Sequence, residues 1–304
     1  MSTLDSNALE CLAAIVEEGG FERAAVRLSI TQSAVSQRLR SLEVQVGTVL
    51  IVRSRPLRAT SAGRLLLKHA MQMRLLRADL ERDLKELTPA ALGNSREAER
   101  ISIAVNADSI ATWALPALGP LSREGLRLEI IADDQDFTIE WLREGQVLGC
   151  VTTVKQALRS CRLVPLGVMS YVAVAQADYA GEHCPDGLSP HNFRNLPFIA
   201  FNRKDDLQSE FVGRALNLKQ PALSQLYVPS SEGQVRAIID GWGVSVVPEL
   251  QVREHLKAGS LVDIAPGCAL PVELYWHCWN LDSAVLDALT RALTSAAARA
   301  LTQR

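Results

Sequence analysis

The sequence lacks the features that mark secreted, membrane and metal-binding proteins. No apolar run approaches the roughly 20 residues of a membrane-spanning helix, and the first ten residues have neither the basic start nor the apolar core of a signal peptide. The six cysteines form no Cys-x-x-Cys pair and have no histidine at zinc-ligand spacing. We therefore expect a cytoplasmic protein with reduced thiols and no bound metal.

The signatures of common enzyme chemistries are missing as well. Gly243-Val-Ser-Val-Val does not have the spacing of a nucleophile elbow, and Gly241-Trp-Gly243 lacks the third glycine of a dinucleotide-binding loop. No P-loop occurs, and the five histidines show no pairing at helical spacing. The sequence predicts a protein without catalytic residues and without a cofactor.

The composition is that of an ordinary globular protein, but the charge is unevenly placed. The 304 residues are 48% hydrophobic and 22% charged and carry a net charge of −2. This length is enough for about two domains. Between Arg38 and Arg77 nine basic residues stand against the single acid Glu43. Such a local excess of positive charge is typical of a surface that binds a polyanion such as DNA.

Residues 20–43 are typical of a helix-turn-helix. A short helix is followed by a turn and by a second periodic run, for which Thr31 is a suitable N-cap. On the second helix one stripe contains Val35, Leu39 and Leu42, and the opposite face contains Ser33, Gln37 and Arg40, flanked by Ser36 and Ser41. Amide, hydroxyl and guanidinium groups on one face suit a DNA major groove. An ordinary helical hairpin with a solvated polar face has the same pattern, so this stretch alone leaves both interpretations open.

Two features after this motif favour DNA binding by a dimer. Two short extended segments flank a basic turn near residues 53–58 and predict a wing whose arginines reach phosphates or a minor groove. Residues 62–87 predict one long helix with an apolar stripe at Leu66, Met73, Leu80 and Leu87, widened by Leu76 and Leu84. The stripe either pairs with a second copy, which we favour, or packs on the chain's own second domain. A dimer would place two recognition helices about 34 Å apart and predicts an inverted-repeat target.

From residue 101 onward, strand-like runs alternate with helical stretches. The predicted strands are 101–106, 128–131, 148–152, 171–174, 198–201, 226–228, 244–247 and 273–276. The alternation predicts an α/β fold with mostly parallel sheets in two lobes. We expect a DNA-binding domain at 1–61, a dimerisation helix at 62–87, a hinge linker at 88–100 and a two-lobed domain at 101–304. Lobe I is predicted at about 101–167 and 272–304, and lobe II at about 168–271.

The motifs of the N-terminal region resemble the winged helix of the LysR-type transcriptional regulators. They are Phe21-x-x-Ala-Ala25, Ile30-Thr-Gln-Ser-Ala-Val-Ser-Gln-Arg-Leu39, Leu42-Glu43, Val52-Arg53 and Thr60-x-Ala-Gly63. Ile51 stands where many members carry phenylalanine, and a branched aliphatic side chain fills the same core position. The resemblance covers nearly the whole chain. It implies a winged helix-turn-helix, a long linker helix and a two-lobed effector domain of the periplasmic-binding-protein-like type 2. The implied partners are a double-stranded inverted-repeat promoter site, RNA polymerase, and further copies of the chain in a homodimer or tetramer.

Further motifs resemble the ArgP/LysG (IciA-like) branch of that family. They lie at 20–25, 105–113, 156–158 with Ser160-Cys161, 230–232 and 274–277. The resemblance implies that L-lysine or L-arginine is the effector and that the target genes serve basic amino-acid export or metabolism. Two alternatives stay open. The chain is either a DNA-binding protein of this branch that acts at a replication origin or on the nucleoid, or a regulator that responds to a different small effector.

A defined set of side chains is expected at the DNA, from the helical wheel and from this resemblance. Those expected at base edges are Gln32, Ser33, Ser36 and Gln37. Those expected at phosphates or in a groove are Thr31, Arg38, Arg40, Arg53 and Arg55. Base contacts carry sequence specificity, whereas phosphate contacts strengthen binding to every sequence.

The effector pocket is expected where strands of the two lobes end. The candidates are Asp108 and Ser109 after the first strand, Asp133 and Asp134 after the second, Thr152 and Thr153 after the third, and Ser230, Ser231 and Glu232 at a helix start in lobe II. Ser231 and Gln234 also have capping-box spacing. Helix N-termini suit an α-carboxylate, and the acidic residues suit the cationic end of lysine or arginine. Helix capping alone also explains Ser, Asp and Thr at such places.

Overall fold

The computed structural model describes residues 4–54, 57–87, 100–133 and 137–303. Most of the predicted hinge linker lies outside these ranges, as do Arg55 and Asp134. The described chain forms a helical domain with a two-stranded wing, one long helix, and a domain built on a large sheet. Within these ranges no helix is both long and apolar enough to cross a membrane.

Three helices and a wing form the N-terminal domain. They are α1 (Ser6–Glu17), α2 (Phe21–Arg27), α3 (Gln32–Val46), β1 (Ile51–Val52) and β2 (Arg58–Ala59). The hydroxyl of Thr31 accepts a hydrogen bond from the backbone N–H of Ala34 at 3.2 Å, which confirms the predicted N-cap of α3. The predicted stripe of Val35, Leu39 and Leu42 is buried in the core of this domain. The helical periodicity of residues 20–43 therefore predicted correctly which face of α3 is buried and which face points to solvent.

The long helix α4 (Ser61–Leu87) begins directly at the wing. The Thr60 hydroxyl accepts from the backbone N–H of Gly63 at 3.0 Å and caps its first turn. A side chain at Gly63 would not fit, because its Cβ would lie 2.1 Å from the carbonyl oxygen of Leu50. This close approach fixes the direction in which α4 leaves the N-terminal domain.

Different faces of α4 pack on different parts of the molecule. Leu67 and Ala70 belong to the core of the N-terminal domain, whereas Met71 and Leu75 belong to the core of the C-terminal domain. The helix thus does pack on the chain's own second domain, the interpretation that the stripe favoured less. Another part of the predicted seam points to solvent, with exposed fractions of 43–57% at Met73, Leu76 and Leu80. Packing on the chain's own second domain is thus confirmed for Met71 and Leu75, and pairing with a second copy stays a prediction for the exposed part.

The C-terminal domain contains one sheet of nine strands in the described part of the chain. The strands are β3 (Arg100–Asn106), β4 (Arg127–Asp133), β5 (Gly149–Thr152), β6 (Cys161–Gln176), β7 (Pro197–Ala200), β8 (Ser224–Tyr227), β9 (Val244–Pro248), β10 (Leu261–Asp263) and β11 (Leu270–Trp279). The helices are α5 (Ala107–Ser109), α6 (Leu115–Arg123), α7 (Thr138–Arg143), α8 (Ala177–His183), α9 (Leu207–Leu216), α10 (Ser231–Ile239), α11 (Glu249–Ala258) and α12 (Ala284–Ala300). A π-helical turn, Ile110–Ala114, joins α5 to α6.

The strand order is β4-β3-β5-β11-β6-β9-β7-β8, with β10 paired to β6. In lobe I, β3 pairs in parallel with β4 and β5, and in lobe II, β7 pairs in parallel with β8 and β9. Between them, β6 pairs antiparallel with β9, β10 and β11, and β11 pairs antiparallel with β5. The expectation of mostly parallel sheets is wrong, because the strands that connect the lobes are antiparallel.

The central strand β6 is longer than its sequence pattern predicts. The predicted strand 171–174 covers only its last part, because Pro165 and Gly167 resemble strand breakers. The structure accommodates them at an irregularity, where the register with β11 shifts between Leu274 and Tyr275. Gly167 has a φ of +127° there, which favours glycine. The three-residue strand β10 was not predicted at all.

A buried arginine joins α4 to the N-terminal domain. The side chain of Arg74 is 8% exposed, its Nε donates to Oε2 of Glu10 at 2.7 Å, and its Nη1 donates to Oε1 of Glu17 at 2.7 Å. Glu17 also pairs with Arg27 at the end of α2. One cation of the linker helix thus neutralises two carboxylates of α1, and the network reaches the helix-turn-helix.

We expect Arg74→Ala to destabilise the N-terminal domain by about 2–3 kcal/mol, because Glu10 and Glu17 lose their common cation in a partly buried place. The matched control is Arg77→Ala, which removes an exposed arginine one turn further along α4. Thermal unfolding of the full-length protein measures both variants. Equal shifts in the two variants would contradict a stabilising role for the buried network.

Candidate functional site

The outward face of α3 presents the side chains predicted to contact DNA. The exposed members are Thr31, Gln32, Ser33, Gln37 and Arg40, and Ser36 and Arg38 are half-buried. The acid Glu43 accepts from the backbone N–H of Leu50 at 2.9 Å, so its charge is directed to the loop before the wing. The face therefore combines hydroxyl, amide and guanidinium groups, which suits contact with base edges and phosphates.

The predicted arginines of this region differ in their surroundings. The guanidinium of Arg53, on the wing, lies 5.3 Å from the ring centroid of Phe21 at the start of α2, so the wing and the helix-turn-helix form one surface. Arg38 lies near the thiol of Cys11 on α1. Burial raises the pKa of that thiol, and the charge of Arg38 offsets part of the rise. Arg40 and Arg53 are therefore better placed for phosphates than Arg38.

A pocket opens between the lobes of the C-terminal domain, at the carboxyl ends of β3, β4 and β7. The space that it encloses is about 30 Å³, so a ligand as large as an amino acid fits there only when the lobes move apart. Its polar lining residues are Asn106, Asp108, Asp133, Asp205, Gln208 and Gln234. Among the described residues that line it, three are aspartates and none is a lysine, arginine or histidine. The pocket is therefore built for a cationic ligand.

Asp108 lies where the two lobes meet. Its Oδ1 is 2.6 Å from the Oγ of Ser231 in lobe II, and the hydroxyl of Tyr171 on β6 donates to its Oδ2 at 2.7 Å. Burial raises the pKa of the Asp108 carboxyl above its usual range. The hydrogen bonds with Ser231 and Tyr171 oppose the rise, and the nearby Asp205 adds to it.

The other two aspartates are held in position by neutral donors. Asp133, at the end of β4, accepts from the indole Nε1 of Trp141 at 2.9 Å. Asp205 accepts from the backbone N–H groups of Phe201 at 2.8 Å and Leu207 at 2.9 Å. Both carboxyl groups line the pocket, Asp133 from lobe I and Asp205 from lobe II.

Two amide side chains of the pocket have buried atoms without a hydrogen-bond partner among the described residues. Asn106 is 1% exposed, and neither its Oδ1 nor its Nδ2 has a partner in the described part of the chain. Gln234 is 4% exposed, and its Nε2 is likewise unpaired there. Gln208, by contrast, exchanges two hydrogen bonds with the backbone of Val246. Unpaired buried amide atoms are costly, so those of Asn106 and Gln234 are available to a ligand or an ordered water in the pocket.

The structure brings together only part of the predicted effector residues. Asp108 and Asp133 line the pocket, and Ser231 contacts Asp108. Ser109 is buried next to Asp108 in the chain, but it is not among the lining residues. The pocket is likewise not lined by Thr152, Thr153, Ser230 or Glu232. Asp134 lies outside the described residues.

The capping-box prediction for α10 is wrong by one residue. The N-cap is Ser230, whose hydroxyl accepts from the backbone N–H of Gly233 at 3.1 Å. Ser231 is therefore not needed as a cap, and its hydroxyl turns to Asp108. Ser231 reaches Asp108 across the cleft because it lies in the first turn of α10, and it does not cap that helix.

Four polar lining residues were missed: Asn106, Asp205, Gln208 and Gln234. A signal for Asp205 was present, because it follows a predicted strand of lobe II as Asp133 follows one of lobe I. The same holds for Asn106, which is the last residue of β3. Gln208 and Gln234 lie inside helices, where no sequence pattern distinguishes them.

Family models match both parts of the chain. Residues 6–64 match the bacterial regulatory helix-turn-helix protein model of the lysR family, and residues 94–298 match the LysR substrate binding domain. The chain belongs to the LysR family. As a LysR-family protein it is a DNA-binding transcriptional regulator and not an enzyme.

Individual LysR-family proteins resemble the chain over its full length. ArgP of Aeromonas salmonicida is 39% identical over 302 residues, which cover 99% of both chains. The crystal structure of ArgP from Mycobacterium tuberculosis has a TM-score of 0.83 at 39% identity and covers 99% of this chain and 100% of that one. Full-length LysG from Corynebacterium glutamicum with bound effector Arg has a TM-score of 0.69 at 33% identity and covers 98% of this chain and 99% of that one. The resemblance to the ArgP/LysG branch is thereby confirmed.

Proposed function

We propose that this regulator responds to L-arginine or L-lysine bound in the pocket between its lobes, and that it controls genes of basic amino-acid export or metabolism. The charge of the pocket carries the proposal, since three aspartates and no cation occur among its described lining residues. The arginine held by the similar LysG protein supports the same class of ligand.

The polar groups of the pocket match the parts of a basic amino acid. Asp133 and Asp205 suit a guanidinium or ammonium group, because charge-assisted hydrogen bonds are the strong ones. The unpaired Nδ2 of Asn106 and Nε2 of Gln234 are donors and suit an α-carboxylate. The unpaired Oδ1 of Asn106 suits an α-ammonium group. We propose that no cofactor takes part.

The linker helix offers a route from the pocket to the DNA. The Nζ of Lys68 on α4 lies 4.6 Å from the ring centroid of Trp279 at the end of β11, and the backbone of Lys68 lies against Gly145 of lobe I. Met71 and Leu75 continue this contact inside the lobe. We propose that a ligand-dependent movement of lobe I changes the direction of α4, and with it the spacing of two DNA-binding domains.

The exposed apolar stripe of α4 supports a homodimer. Met73, Leu76 and Leu80 lie outside both cores of the chain and stand at the spacing of a helical seam. A dimer, alone or paired into a tetramer, would bind an inverted-repeat promoter and act on RNA polymerase. A protein that binds a replication origin or the nucleoid has no need of an amino-acid pocket, so a footprint that changes with arginine distinguishes the two functions.

We expect Asp133→Asn and Asp205→Asn each to weaken arginine binding about tenfold or more, because each removes a charge-assisted contact worth about 1.5–3 kcal/mol. Calorimetric titration of the full-length protein with L-arginine and L-lysine measures the effect. The control is Asp206→Asn, which changes an exposed aspartate next in the chain that does not line this pocket. Unchanged affinity in both pocket variants would rule out the proposed site.

Gln37→Ala is expected to reduce discrimination at one base pair by about 1–3 kcal/mol, because it removes a contact with a base edge. Arg53→Ala is expected to weaken binding to every sequence, because it removes a contact with phosphate. The slope of log affinity against log salt concentration should then fall by about one. Fluorescence anisotropy with operator and scrambled DNA at several salt concentrations separates the two effects. Arg299→Ala, at an exposed position of α12, serves as the control. An unchanged salt slope for Arg53→Ala would show that the wing does not contact phosphate.

A further inference from the structure

The two lobes are joined by a short middle section of β6 and β11. Residues 275–278 of β11 pair with β5 of lobe I and with residues 162–165 of β6. Residues 171–175 of β6 pair with β9 of lobe II. Residues 166–170 of β6 lie between these two regions, where the register with β11 shifts and Gly167 has a φ of +127°. We call residues 166–170 the cleft hinge, because the strands have to bend there when the lobes move apart.

A three-residue segment that follows α12 lies against the cleft hinge. The backbone N–H of Val168 donates to the carbonyl oxygen of Thr302 at 2.9 Å, and the N–H of Thr302 donates to the carbonyl oxygen of Val168 at 3.1 Å. The side-chain Nε2 of Gln303 donates to the carbonyl oxygen of Leu166 at 3.3 Å. We call residues 301–303 the strap, since they form a short antiparallel bridge along the hinge.

The strap is fixed to lobe I through α12. The indole Nε1 of Trp276 on β11 donates to Oγ1 of Thr290 at 3.0 Å, and Arg162 on β6 pairs with Asp287 at 3.0 Å. Both strand residues belong to the part of their strand that pairs within lobe I. A rotation of lobe II therefore bends the cleft hinge against a segment that stays with lobe I.

The glycine of the cleft hinge makes room for the strap. A Cβ at Gly167 would lie 2.9 Å from Nε2 of Gln303, 3.0 Å from the Cβ of Leu301 and 3.0 Å from the carbonyl oxygen of Thr302. Leu301 is buried in the same core as Leu166. The strap is thus packed closely on the hinge and is not only hydrogen-bonded to it.

We propose that the strap stiffens the cleft hinge and holds it in the conformation of the narrow cleft. The pocket encloses about 30 Å³, so binding of an amino acid requires a wider cleft, and widening strains the bridge between Val168 and Thr302. When only the open fraction of molecules binds a ligand, the apparent Kd exceeds the intrinsic Kd. The strap thereby sets the affinity for the effector from outside the pocket. This consequence rests on the proposed function, whereas the stiffness of the hinge does not.

The stiffness is tested by removing one hydrogen bond of the bridge. Thr302→Pro lacks the N–H that donates to Val168, and Leu301, with φ −99° and ψ 152°, already has a conformation that suits a residue before proline. The matched control is Thr302→Ala, which changes the same exposed side chain and retains the N–H. We expect hydrogen–deuterium exchange at residues 166–170 of the full-length protein to be about two- to tenfold faster in Thr302→Pro and unchanged in Thr302→Ala.

Arginine affinity gives a second readout, by calorimetric titration of the full-length protein. Thr302→Pro is expected to bind L-arginine about two- to tenfold more tightly than wild type, because its cleft opens at a lower cost, and Thr302→Ala is expected to bind like wild type. Gln303→Ala, which removes the bond to Leu166, is expected to change exchange and affinity in the same direction but less. A gain in affinity distinguishes the strap from a segment that only stabilises the fold.

Two results overturn the inference. Unchanged exchange at residues 166–170 in both Thr302→Pro and Gln303→Ala would show that the strap does not stiffen the hinge. Faster exchange together with unchanged or weaker arginine binding would show that the strap does not set the affinity. If the wild-type chain binds neither arginine nor lysine, the proposed function and the effect on affinity fail, and the exchange measurement still decides whether the strap stiffens the hinge.

Discussion

The antiparallel pairing of β6 with β11 is the interaction on which the rest of the C-terminal domain depends. These two long strands pass through both lobes and place the carboxyl ends of β3 and β4 opposite the carboxyl end of β7, which creates the pocket. β6 brings Tyr171 to Asp108, and β11 ends at Trp279 beside the linker helix. One pair of strands thus connects the ligand pocket with the element that leads to the DNA.

Local signals predicted the DNA-binding domain well. Thr31 caps α3, and Val35, Leu39 and Leu42 form its buried stripe, because capping and helical periodicity depend only on residues close in the chain. The sequence predicted where the linker helix begins and ends. It did not predict which of its faces contact the N-terminal domain, the C-terminal domain or solvent. That division depends on the surface of lobe I, which folding brings to Met71 and Leu75 from distant parts of the chain.

The pocket was predictable only in part, for the same reason. Asp108 and Asp133 follow strands that the sequence reveals, and the rule that ligands bind at strand ends located them. Gln234 lies inside a helix and joins the pocket only because β6 and β11 bring the lobes together. Pro165 and Gly167 concealed the first half of β6, so the antiparallel centre of the sheet was not predicted. Asp205 was the avoidable omission, since it follows a predicted strand.

We propose that the regulator recognises the positive charge of its ligand through Asp133 and Asp205. We propose further that amide atoms of Asn106 and Gln234, which have no partner among the described residues, hydrogen-bond to its polar groups. The most direct test compares L-arginine with L-citrulline, which has nearly the same shape but an uncharged side chain, by calorimetric titration of the full-length protein. The account predicts saturable binding of arginine and binding of citrulline that is weaker by about tenfold or more, as expected for loss of a charge-assisted contact. Equal affinity for both compounds, or no binding of arginine and lysine, would contradict it.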